Sequence, residues 1–146
     1  MDKQQMSAAI IEARRRLGLG WADLARAIEM SPVWTTSACL GMNSMPADKA
    51  EILCSRLGLS AEVSLALQAF PHKHWDKAVP TDPLVYRFYE MINVYGDTIK
   101  ELIHEEFGDG IMSAIDFSMD ISRVADPKGD RVQIVLNGKF LPYKAW

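Results

Sequence analysis

Cysteine is scarce: Cys39 and Cys54 are the only two among 146 residues. Two thiols without a ligand pattern around them exclude a disulfide framework and a zinc site of ordinary spacing. They read as half-buried, reduced side chains that behave as small apolar residues. His72 and His74 form an H-x-H with no Cys or Asp/Glu at metal-ligand spacing nearby, so they read as structural or solvated. No metal and no cofactor is expected. Also missing is any apolar run of the roughly 18 residues that a membrane span requires. The opening MDKQQMSAAI lacks the basic and apolar regions of a signal peptide. The expected setting is the cytoplasm, without a membrane partner. Positive charge is not in excess either, the formal net charge being -3. Residues 1–77 carry nine Lys/Arg against eight Asp/Glu, and residues 78–146 carry seven against eleven. The basic footprint of a nucleic-acid binder is absent.

What the first 77 residues do contain is helical periodicity. SAAIIEARRRLG sets Ile10, Ile11 and Leu17 at helical spacing, with Gly18 as a stop. GWADLARAIEM puts Trp21, Leu24, Ala25 and Ile28 on one stripe. SPVWTTSACLG offers Ser31 as N-cap and Pro32 at the first helical position. MPADKAEILCSRLGL and SAEVSLALQAF, the latter capped by Ser60, complete a five-helix bundle. Over residues 7–58 the helix–turn–helix order resembles the DNA-binding domains of phage-type repressors. Bases are read mainly by Arg, Lys, Asn and Gln, and phosphates by Lys and Arg. None of these lies between Pro32 and Gly41. Arg14, Arg15 and Arg16 read as a solvated face, so nucleic acid is not an expected partner. PHKHWDKAVP, residues 71–80, has prolines at both ends and no period, and reads as a linker.

Residues 78–146 follow a different pattern. PTDPLVYRFYEMINVY starts a helix at Thr81 or Asp82, with Pro83 in its first turn. Gly96 is expected to interrupt it and Asp97 to cap a second helix, TIKELIHEEFG. IMSAIDFSMDISRVA alternates apolar and polar residues as a half-buried strand does. RVQIVLNGKFLPY reads as a hairpin turning at Asn137–Gly138. The fold class is therefore α+β: an all-α repressor-like bundle over 1–77 and a small α+β domain over 78–146. So little sheet does not stand alone, and the second domain is expected to pair with another copy of itself.

Three residues are out of place. On a wheel of 3.6 residues per turn, Leu84, Val85, Phe88, Met91, Ile92 and Tyr95 fill an arc of about 120 degrees. Arg87 and Glu90 lie on its flank, three apart, where their side chains meet. Almost no ordinary solvated face is left. The pair is either a structural ion pair or an anion site in which Glu90 orients the Arg87 guanidinium toward a carboxylate-like ligand. Ser113, with Ile111 and Ile115, falls on the apolar face of the strand. Its hydroxyl is either satisfied by backbone or offered to a ligand.

PTDPLVYRFYEM, VYGDTIKELIHEEFGDGIMSAIDF, RVADP and NGKFLP resemble the signature stretches of cyanases (cyanate hydratases), at closely similar spacing through most of residues 79–143. In that family the catalytic residues are the Arg and Glu of Y-R-F-Y-E and the Ser of G-I-x-S-A-I, here Arg87, Glu90 and Ser113. The resemblance implies bicarbonate-dependent decomposition of cyanate to carbamate and carbon dioxide, with carbamate then giving ammonia and more carbon dioxide. It also implies a homodecamer, a ring of five dimers with interlocked C-terminal segments and active sites between subunits. Bicarbonate would be a co-substrate and no cofactor would be used. The other reading is a helix-turn-helix transcriptional regulator whose acidic second half serves oligomerisation.

Overall fold

Local signals in the first 72 residues produce five short helices: α1 (Lys3–Arg16), α2 (Trp21–Ala27), α3 (Pro32–Cys39), α4 (Ala47–Leu57) and α5 (Ala61–Gln68). The computed structural model describes residues 1–72 and 78–144; half of the expected linker, including His74, lies outside these. Asp2 caps α1 through its carboxylate and the Gln5 amide N–H, 2.8 Å apart. Ser31 caps α3, its Oγ accepting from the Trp34 amide. Gly58 ends α4 in the left-handed conformation that a glycine adopts without steric cost. The helices close around Met6, Ile10, Leu24, Ile28, Leu53, Leu57 and Leu67. Each such side chain stabilises the fold by roughly 1.5–3 kcal/mol through removal from water. Cys39 and Cys54 lie in this core, unpaired and fully buried rather than half-buried.

Two polar side chains of α3 bond within the chain, while the buried Thr35 Oγ1 has no hydrogen-bond partner among the described residues. Thr35 and Ala38 are buried, Thr36 Oγ1 donates to Pro32 O, and Ser37 Oγ accepts from Asn43. Arg14 is not on a solvated face as expected. Its guanidinium lies 4.4 Å from the Trp21 ring centroid and donates to Leu19 O at 2.8 Å.

The second half departs from expectation twice. One uninterrupted helix, α6 (Pro83–Phe107), replaces the expected pair, and Gly96 sits inside it. A glycine in a helix interior costs about 1 kcal/mol, less than the cost of nucleating a second helix, so the apolar stripe carries the helix through. Asp82 starts it by accepting from the Leu84 and Val85 amides, both at 2.9 Å. β1 (Gly110–Val124) and β2 (Arg131–Pro142) then form a two-stranded hairpin. Its turn is not Asn137–Gly138, which lies within β2. The chain reverses at 125–130, where Asp126 O accepts from Gly129 and Asp126 Oδ1 from Lys128. Gly129, at φ 123°, supplies the conformation that turn needs.

By compactness the chain divides into Met1–Lys73 with Asp120–Ile134, and His74–Met119 with Val135–Trp146. In the second unit the base of the hairpin joins the last turn of α6. The Phe107 and Phe140 rings lie 5.3 Å apart, and His104 Nε2 is 3.2 Å from Gly110 O. Yet α6 has no buried residue. Leu84, Val85, Phe88, Met91, Ile92 and Tyr95, its apolar stripe, are all exposed within the single chain.

Candidate active site

Capping by Asp82 fixes the register of α6, and that register sets Arg87 and Glu90 one turn apart on the same face. Arg87 Nη1 donates to Glu90 Oε2 at 2.7 Å. The guanidinium carbon stands 5.9 Å from the Tyr86 ring centroid. The two side chains are 66% and 48% exposed, and an ion pair so open to water is worth at most about 1 kcal/mol to the fold. Stability therefore does not account for two charges beside an otherwise apolar stripe. A guanidinium carries five N–H donors, so the bond to Glu90 fixes its plane and leaves donors to face a ligand.

Ser113 is built differently. It is 6% exposed, and its Oγ accepts from the Ile115 amide at 3.0 Å and the Asp116 amide at 2.9 Å. This side-chain-to-backbone turn kinks β1 locally. The kink breaks the expected alternation: Ile115, two residues on, is 98% exposed while Ser113 is buried. Ser113 thus does not share a buried apolar face with Ile115. A hydroxyl has two acceptor lone pairs and one donor hydrogen. With two amides donating to its oxygen, the hydroxyl hydrogen is the group Ser113 has left to offer.

Arg87 and Glu90 are thus brought together, whereas no hydrogen bond or ion pair joins Ser113 to either. Nor does any of three concavities of about 560, 390 and 280 Å³ include these residues in its lining. The single chain presents the chemical groups without the enclosure. Gly138, expected as a turn residue, is instead a close-approach residue facing the Ser113 carbonyl. The sequence gives no signal of that pairing, because it depends on strand register.

Fold and site together describe an α+β protein with an Arg–Glu ion pair on an uncovered helix. Residues 3–71 match the family model described as cyanate hydratase, N-terminal, and residues 77–145 match the cyanate lyase C-terminal domain. The cyanate hydratase of Pseudomonas putida is 56% identical over 146 residues, covering the whole of both chains. That of Teredinibacter turnerae is 58% identical, again over the whole of both. The crystal structure of cyanase from T. urticae aligns with a TM-score of 0.84 at 38% identity, over 94% of this chain and 96% of that one. The chain belongs to the cyanate hydratase family.

Proposed function

We propose that this protein decomposes cyanate in a bicarbonate-dependent reaction. The observation that carries the reading, beside family membership, is the Arg87–Glu90 pair at 2.7 Å on the uncovered face of α6. Cyanate and bicarbonate are both anions, and their repulsion and hydration oppose encounter in water. A bicarbonate oxygen attacks the cyanate carbon to form a dianionic adduct. The bond from that oxygen to the bicarbonate carbon then breaks, releasing carbon dioxide. The bicarbonate hydroxyl proton and one proton taken up from water pass to nitrogen and leave carbamate, and a further proton converts carbamate to ammonia and carbon dioxide. Arg87 clamps the developing negative charge with its planar fork, and Glu90 fixes that fork. Ser113 donates its hydroxyl hydrogen to a substrate oxygen. Holding the two reactants together supplies much of the rate. Every step is a proton transfer or an addition–elimination at carbon, so the reaction as written calls for neither metal nor organic cofactor.

The enclosure comes from other copies of the chain. A 25-residue helix without one buried residue and a lone two-stranded sheet need partners. A homodecamer, five dimers in a ring with sites between subunits, supplies them and gathers arginines of several chains around a dianion. A cytoplasmic setting accords with the reduced thiols. No described helix is long and apolar enough to cross a membrane. The regulator reading is disfavoured by an α3 that carries no Arg, Lys, Asn or Gln.

Ammonia release from cyanate, measured with and without bicarbonate, tests the proposal. Release that needs bicarbonate is expected. Release that is absent, or indifferent to bicarbonate, overturns it.

A further inference from the structure

Gly138 faces Ser113 across the hairpin. A β-carbon built there would fall on the Ser113 carbonyl oxygen, 2.7 Å from Met112 Cγ and 3.3 Å from Phe117 Cδ2. Methionine and phenylalanine side chains can shift to relieve such crowding. A backbone carbonyl cannot move without taking its residue with it. The segment that would move is the one in which Ser113 Oγ holds the Ile115 and Asp116 amides. Those two bonds decide that the hydroxyl is a donor and decide where it points. The absent side chain at 138 is therefore coupled to the direction of one hydrogen bond, 25 positions away in the chain but adjacent in space.

We infer that Gly138 is a positioning residue for Ser113: its lack of a side chain lets β2 lie close enough to hold the kinked segment of β1 in the geometry that aims the hydroxyl. The inference rests on the role proposed above for Ser113. It differs from a turn-glycine role, because Gly138 sits inside β2 and what it provides is space, not an unusual backbone angle.

The test is a double-mutant cycle on the full-length oligomer, with cyanate and bicarbonate both varied. Gly138→Ala and Ser113→Ala are made singly and together, and native mass and Tm are checked for each. Gly138→Ala is expected to lower kcat/KM by about tenfold or more in the parent, and by less than about twofold when Ser113 is already alanine, as expected of residues acting through one interaction. An equal fall in both backgrounds makes Gly138 a general packing residue and overturns the inference. So does undiminished activity of Gly138→Ala. Full activity of Ser113→Ala instead sinks the role given to Ser113, a separate failure with its own signature. Adding Met112→Ala to Gly138→Ala relieves the side-chain part of the clash and leaves the carbonyl part. Activity that stays low in this folded variant supports the inference, and recovery to the parent level overturns it. If neither Gly138→Ala nor this relieved variant folds, Gly138 is a folding residue and the assignment fails.

Discussion

An exposed arginine is ordinarily interchangeable with lysine, but Arg87 is held by a 2.7 Å bond from one nitrogen to Glu90, which leaves the rest of a rigid fork to grip an anion. Lysine offers a point charge on a flexible stem. Arg87→Lys is accordingly expected to lower kcat/KM by about 10²–10³-fold, the range typical of losing an oriented charge donor, with native mass unchanged. Steady-state ammonia release measures it; near-parental activity would remove the clamp role. Ser113→Ala deletes one hydrogen bond to a charged substrate, worth about 1.5–3 kcal/mol or roughly 10- to 100-fold in rate. It also strands the amides of Ile115 and Asp116, so their hydrogen exchange is expected to quicken. Cys39 gives a pH prediction. Burial, together with the nearby Cys54, pushes its thiol up to about 12. The folded protein thus keeps a proton that the unfolded chain has released, and stability present below the ordinary thiol range is lost as pH rises toward 12. The slope is up to about 1.4 kcal/mol per pH unit. Denaturant midpoints between pH 8 and 11 are expected to fall more steeply for the parent than for Cys39→Ala; parallel curves would refute this.

At the scale of elements, two of the expected caps were legible because a cap is a contact between neighbours in sequence, whereas Ser60 makes no side-chain cap bond and Asp97, expected as a cap, lies inside α6. Asp82 and Ser31 hold α6 and α3 as their positions in the chain suggest. Asp82→Ala, which frees two amides one turn before Arg87, is expected to cost about 1 kcal/mol in denaturant unfolding. Gly96 and Asn137–Gly138 were not legible. A helix-breaking or turn-forming dipeptide is only a local preference, and each was overruled: Gly96 by the apolar stripe that runs through α6, Asn137–Gly138 by pairing with β1. Within its own chain Gly96 has no steric duty, since an added β-carbon would meet only Ile92 Cγ2 at 3.8 Å. Gly96→Ala is therefore expected to raise helix stability by roughly 0.5–1 kcal/mol. A loss of native mass in that variant would instead show that a second chain approaches the helix there.

For the whole molecule, the helical bundle and the second half differ in kind. The bundle has its own core, whereas α6 buries nothing within its chain. The proposed assembly is expected to appear in native mass spectrometry as a species of ten chains, each of 16.4 kDa. Activity per chain is expected to fall on dilution in step with dissociation, because in a chain alone Arg87 stands on a helix that buries none of its residues. Full activity in a monomer would exclude a site shared between subunits.

The sequence by itself determined the five helices of the bundle, part of their core in Ile10, Leu24 and Ile28 but not Leu17, which is exposed, the start of α6, and the three candidate residues. Those depend on periodicity, on caps and on short runs of residue types, all local properties of the chain. Only the tertiary structure decided that α6 runs on through Gly96, that the hairpin turns at 125–130, and that Ser113 is kinked out of register with Ile115. It also decided that the Ser113 hydroxyl oxygen accepts from two amides, and that Gly138 stands against its carbonyl. Each of these depends on which backbone groups meet across space, and a strand's register is set by its partner rather than by its own residues.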